Sequence, residues 1–145
     1  VHSVGGAVGQ QGPGQLVGYP ILALTGERRD LHRYLRDLEE VLIQALAEFG
    51  IGAGREEGLT GVWVPEGKLA AIGVRVSSGW ITSHGFALNV NPELSYFSSI
   101  IPCGIQDRPV TSMQRLLGVP LQLETVGRAV LKAFEAVFSR KIVVV

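Results

Sequence analysis

The chain has 145 residues, with 13 basic and 13 acidic side chains and a formal net charge of zero at neutral pH. That length suits one domain with a sizeable core, and the balanced charge gives no pull toward nucleic acid or an anionic membrane surface. No apolar run is long enough to read as a membrane span, and no basic-then-apolar leader reads as a signal peptide. A single cysteine cannot form an internal disulfide, which fits a reducing, cytoplasmic compartment. Nineteen glycines exceed the usual share of about 7%. They imply many special backbone positions and suit a site made from loops and main-chain amides.

In chain order, residues 1–15 read VHSVGGAVGQQGPGQ, with neither helical nor alternating period. Two tight turns, at Gly5-Gly6 and Gly12-Pro13-Gly14, around a short extended piece are expected. The stretch is either a flexible entry loop or a glycine wall that lets a ligand approach the backbone. It is not a phosphate loop, which would need Gly-Lys-Ser/Thr. Residues 15–24, QLVGYPILAL, read as a strand in which Gly18 and Pro20 mark a bend or an edge. Asp30 is a candidate N-cap for a helix over residues 31–49. Leu31, Tyr34, Leu35, Leu38, Val41, Leu42, Ala45, Leu46 and Phe49 line one face of it, and Gly50 closes it.

From Thr60 the period becomes that of strands. Gly61-Val62-Trp63-Val64, a Pro65-Glu66-Gly67 turn and residues 68–76 read as a hairpin, with the second strand well buried. Ser77-Ser78-Gly79 turns the chain into residues 80–90, WITSHGFALNV, a strand broken at Gly85. Short turns between consecutive strands indicate an antiparallel meander. Thr111 with Gln114 reads as a capping box for a short helix through about Leu117, closed by Gly118 and Pro120. A last helix is expected over residues 124–139 and a β-prone tail over 141–145.

Three side chains invite chemistry. Cys103 lies in residues 99–105, SIIPCGI, between a proline and a glycine, which favours a tight turn. A thiol there is either a small buried hydrophobe or a reachable nucleophile near close backbone amides. Lys68 begins a buried strand, and His84 precedes a glycine in the next. Taken singly, each also fits a plain structural role. Three histidines and one cysteine show no ligand spacing, so no metal is expected.

Taken together, GG…GPGQLVGYP, TGVW, K-x-x-x-IG, SHGFALNV, IPCGI and VTS make the chain resemble the lipoyl(octanoyl) transferase family. The resemblance covers nearly the whole chain, in the family's order and approximate spacing, and HGFALN with IPCGI is its most specific part. It implies the fold of the biotin and lipoate protein ligase catalytic domains, an α+β domain with a mixed, largely antiparallel sheet flanked by helices. It implies a single acyltransferase domain over residues 1–145, lacking an N-terminal segment usual in the family.

The resemblance further implies a catalytic dyad of Cys103 and Lys68, with no cofactor. The acyl chain would lie against Val4, Gly5, Gly6, Ala7, Val8, Gly9, Gln10 and Gln11, against Ala71, Ile72 and Gly73, and against Gly85, Phe86 and Ala87. Implied partners are octanoyl-acyl carrier protein as donor, and the lipoyl domains of 2-oxoacid dehydrogenases and the glycine cleavage H protein as acceptors. The enzyme is expected to act as a monomer. Two departures stand out. The family normally places an arginine before the double glycine and Tyr-His before Gly-Pro-Gly, where this chain has Val4, Gln10 and Gln11.

The residue types suit thioester exchange. A free thiol with a pKa of about 8.5 is only about 3% ionised at pH 7. A neighbouring ammonium that lowered it by about two units would leave roughly three-quarters as thiolate, for about 2.7 kcal/mol of differential interaction. Lys68 would supply that charge. Once the thiolate is acylated the ammonium loses its partner, and Lys68 becomes able to accept the proton of the incoming amine. Ile72 and Phe86 are the bulky members of the wall segments, so they either set the depth of the acyl slot or point into the core of the sheet. Three rivals are an ATP-dependent lipoate or biotin-type ligase, a cysteine hydrolase using His84 as base, and a non-catalytic lipoyl-domain-binding protein.

Overall fold

The computed structural model describes residues 3–9, 14–92 and 109–144. Apolar spacing and caps explain its two long helices. Helix α1 (Leu31–Ala47) starts at Asp30, whose side chain accepts the Arg33 N–H at 3.2 Å, and it ends before Gly50 at φ +79°. Its apolar stripe buries Tyr34, Leu38, Val41, Leu42, Ala45 and Leu46. The short helix α2 is Met113–Leu117, and α3 is Leu123–Phe138, which buries Val126, Val130, Ala133, Phe134 and Phe138. The two long helices pack on each other, with the Tyr34 and Phe138 rings 5.8 Å apart and the Arg28 guanidinium 5.1 Å above the Phe138 ring.

Six strands form one sheet: β1 (Ser3–Gly9), β2 (Gln15–Ile21), β3 (Val62–Val64), β4 (Gly67–Val76), β5 (Thr82–Asn89) and β6 (Lys141–Val144). Their order is β3-β4-β5-β2-β1-β6, and every pairing is antiparallel except that of β1 with β6. Leu16, Phe86, Leu88 and Ala70 meet α1 and α3 in the core. Tyr19, Ile21, Ala71, Gly73 and Arg75 are exposed on the other side. The sheet is therefore mixed, largely antiparallel and lined by helices on one face, as the motifs implied.

Three expectations need correction. The turn expected at Gly5-Gly6 is instead part of β1, an interior strand whose register sets Gly5 opposite Ile21 and Gly6 opposite Pro20. Strand β2 is interior too, not an edge. Its ladder to β5 stops at Gly18, two residues before Pro20, so the missing proline donor interrupts no bond there. Helix α2 is capped by Ser112, which accepts the Arg115 N–H at 3.1 Å, rather than by Thr111. Thr111 has already given its N–H to the Lys68 carbonyl at 3.0 Å. Among the described residues no helix is long and apolar enough to cross a membrane.

Candidate active site

Lys68 is the second residue of β4, just past the Pro65-Glu66 turn, and pairs directly with Trp63 of β3. Its ammonium stands 5.3 Å from the centroid of the Trp63 ring. Gly61 packs beside its stem: with φ at +136°, a Cβ there would come within 2.9 Å of Lys68 Cε and 2.8 Å of the Ala70 carbonyl oxygen. The Gly61 N–H donates to Glu39 Oε2 at 2.9 Å. Glu39 is wholly buried in α1 and is held by Arg36 at 2.7 Å and Arg55 at 3.1 Å. Lys68 is half-buried, and burial holds its ammonium below the usual lysine range.

Several motifs meet at this end of the sheet. The Lys68 N–H donates to the Pro109 carbonyl at 2.9 Å, which zips residues 109–111 alongside the start of β4. Asn89 at the end of β5 donates to the Thr111 carbonyl at 3.2 Å and accepts from Gln15 at 2.9 Å. The Gln114 N–H donates to the Val90 carbonyl at 2.9 Å. The Gly14 carbonyl accepts the N–H groups of Val90 at 3.2 Å and Asn91 at 2.9 Å. A side chain at Gly14 would run into the Asn91 backbone and come within 2.6 Å of the Pro92 nitrogen. The described stems on either side of Cys103, at residues 89–92 and 109–111, therefore emerge beside Lys68 and Gly14. Cys103 itself, with Gln10 and Gln11, lies outside the described residues.

The expected wall segments are neighbours. Ala71 faces Ala87, Ile72 faces Phe86 and Gly73 faces Gly85 across β4 and β5. Ala87 in turn pairs with Val17, and Val17 with Gly9 of β1. The register of β1 places Val8 opposite Gly18 and Ala7 opposite Tyr19, in line with these segments. Val4 pairs with Ile142 of β6, further along the same strand. On the face away from the helices, Ala71, Gly73 and Ala87 leave a surface of small residues where an extended chain could lie against the backbone.

The side chains of Ile72 and Phe86 do not belong to that surface. Phe86 is 5% exposed and in the core, and Ile72 packs against the same core, so the two turn toward the helices. They offer only main chain to the opposite face. Gly85 has a packing requirement of its own: a side chain there would overlap the Gly18 carbonyl and approach Pro20 Cδ to 2.8 Å. His84 precedes it with φ at +63° and its side chain exposed. It pairs with Val74, six positions along β4 from Lys68, a separation of about 20 Å at the strand rise. His84 is thus no partner for Lys68. Sequence reading singled out neither Trp63 nor Gly61 as site residues, although both lie in the TGVW motif.

A half-buried lysine without an ion pair among the described residues gives up its proton more readily than a solvated one. Such a group serves to compensate a nearby anion or to take a proton from an amine. The comparisons with known proteins bear on the family and the fold. The lipoyl protein ligase A/B catalytic domain matches residues 1–135. A relative named octanoyltransferase from Rubrobacter xylanophilus is 56% identical over 135 residues, covering 93% of this chain and 60% of that protein. One of the same name from Geobacter metallireducens is 54% identical, over 95% of this chain and 64% of that protein. The chain thus spans about three-fifths of the length of these relatives.

Among solved structures, a bi-partite lipoate protein ligase from Thermoplasma acidophilum, solved in a study of that ligase and its E2 lipoyl domain, superposes with a TM-score of 0.73 at 18% identity. The match covers 92% of this chain and 55% of that one. The biotin protein ligase of Aquifex aeolicus gives 0.67 at 23%, over 87% and 53%. At these identities the likeness speaks for the fold alone. The match over residues 1–135, with helices on one face of the sheet and Gly14, Lys68 and both described stems of the cysteine segment at one end, makes this chain a member of the lipoyl protein ligase A/B catalytic domain family.

Proposed function

We propose that the chain carries the catalytic part of an octanoyltransferase, which moves an octanoyl or lipoyl group from acyl carrier protein to a lysine of lipoyl domains. The observation that carries this reading is the convergence of Gly14, Lys68 and both described stems of the Cys103 segment at one end of the sheet. The names of relatives at about half identity or better support the octanoyl group as cargo.

In the first half-reaction the Cys103 thiolate, compensated by the Lys68 ammonium, attacks the donor thioester carbonyl and expels the carrier thiol as thiolate. A thiol replaces a thiol, so the step is nearly thermoneutral and needs no ATP. In the second, the acceptor lysine amine attacks the new thioester and expels the Cys103 thiolate. The excess proton of the amine passes to Lys68, whose pKa burial has already lowered. The surface of Ala71, Gly73 and Ala87 lies beside this end of the sheet and suits the acyl chain. Action in the cytoplasm as a monomer completes the reading.

Intact-protein mass spectrometry after mixing with octanoyl carrier protein, without ATP, tests it. An octanoyl adduct on Cys103, lost in Cys103→Ser and discharged by a lipoyl domain, is expected. Free octanoate would indicate a hydrolase, and reaction only with octanoate and ATP would indicate a ligase. No reaction with the carrier would indicate a binding protein. Near wild-type transfer by Cys103→Ser would end the covalent mechanism.

A further inference from the structure

The reading of Lys68 as an acid–base group leaves open what fixes a long, flexible side chain at one spot. Lysine carries one of the largest rotamer entropies of any residue, and an unrestrained ammonium would spend most of its time in water. We propose that Trp63 is a positioning residue for Lys68: its indole face, set across the hairpin beside Gly61, holds the ammonium at the site.

The ring is fixed before it meets the lysine. Trp63 is 3% exposed, its main-chain N–H donates to the Gly54 carbonyl at 2.9 Å, and its main-chain carbonyl accepts the Gly54 N–H at 2.8 Å. The register sets it directly opposite Lys68, and the ammonium lies 5.3 Å from the ring centroid, within cation–π range. Gly61 packs against the stem beside the ring, since any Cβ there would crowd Lys68 Cε at 2.9 Å and come within 3.5 Å of the indole nitrogen. Gly61 is in turn anchored by its N–H to the buried Glu39 carboxylate. The lysine stem thus packs on a glycine backbone and its ammonium on an aromatic face.

The charged groups behind this cradle are Glu39, Arg36 and Arg55, which are bound to one another. Val62, Trp63 and Val64 of β3, and Pro109, Val110 and Thr111 alongside β4, carry no charge. The indole quadrupole favours the charged form, against a burial that disfavours it. The balance leaves an ammonium that is held in place yet titrates early.

The inference rests on Lys68 acting in the proposed transfer, so its test separates the two. The rate at which a small water-soluble acylating reagent labels Lys68, followed by peptide mass spectrometry against pH, gives the ionisation midpoint without using the transfer reaction. Trp63→Leu should lower that midpoint by about 0.5 to 1.5 pH units, and Trp63→Phe should recover most of the shift. An unchanged midpoint in Trp63→Leu overturns the inference. A shifted midpoint with unaltered transfer upholds the positioning role and instead removes Lys68 from the reaction. Should Trp63→Leu fail to fold, Trp80→Phe isolates the Trp63 emission in an otherwise native chain. A pH step in that emission, abolished by Lys68→Met, is expected. A pH profile identical with and without Lys68 overturns the inference.

Discussion

Phe86 sits where sequence reading left two roles open, and the structure makes the choice measurable. Its ring is 5% exposed and lies over Gly18 of β2, where an added Cβ would fall on the ring, 2.6 Å from Cε1 and 3.1 Å from Cε2. Phe86→Ala removes a core ring and should cost about 3–5 kcal/mol, a fall in Tm of roughly 6–20 °C for a domain of this size. Gly18→Ala alone overpacks the same spot and should cost about 1–3 kcal/mol. Combined, the new methyl enters the space the ring has left. The double variant should then be more stable than the sum of the singles by about 1–3 kcal/mol. Urea unfolding of the four chains measures the coupling. Losses that add to within about 0.5 kcal/mol would refute the packing of ring on glycine. The same Phe86→Ala protein, assayed with hexanoyl, octanoyl and decanoyl carrier protein, should keep the parent's preference, because the ring faces the helices. A shift toward longer donors would place Phe86 in the acyl slot after all.

Two further outcomes follow from the Lys68 end. Glu39→Ala leaves the buried Gly61 N–H without its acceptor while Arg36 and Arg55, each more than a third exposed, return to water. The expected loss is therefore that of one buried donor, about 1–3 kcal/mol, and a denaturation midpoint equal to the parent's would contradict it. For Lys68 the sign is set by burial: the folded chain holds the proton less tightly than the unfolded chain, so stability rises as pH climbs from the folded toward the unfolded value. Lys68→Met should thus be more stable than the parent at neutral pH, with the gap closing toward about pH 10. Urea midpoints across that range check it, and a gap that widens with pH would show that burial does not dominate the lysine.

Much of this fold was legible because its elements carry side chains that report their surroundings. The stripe Tyr34, Leu38, Val41, Leu42, Ala45 and Leu46, with Asp30 and Gly50 at its ends, specifies α1 locally. The turn at Pro65-Glu66 likewise specifies the β3–β4 pair. Strand β1 was not legible. Gly5, Gly6 and Gly9 bring no side chain to either face, so no alternation exists to be read, and its place in the sheet comes from β2 and β6, the latter more than a hundred residues away. Thr111 was misread as a cap for a similar reason, because its backbone is committed to Lys68, a partner that local spacing cannot show. The orientation of Phe86 was within reach. Phe86, Leu88 and Val90 alternate as an apolar set, and that period already pointed the ring inward.

The site was legible as motifs and illegible as a place. Gly14, Lys68, Asn89 and Thr111 are scattered over the chain, and their meeting depends on three facts of topology: β2 and β5 run antiparallel, β4 returns beside β5, and residues 109–111 come back to zip along β4. Each brings a strand end to the same edge of the molecule. The same topology explains why Trp63 drew no notice. In sequence it is an apolar residue two positions before a turn, and its natural reading is core. Only the register of a hairpin whose second strand begins with a lysine turns that buried ring into one face of a cation site. A hydrophobic residue takes on a chemical task here because of what pairs with it, so the search for functional residues has to extend to the cross-strand neighbours of the charged ones.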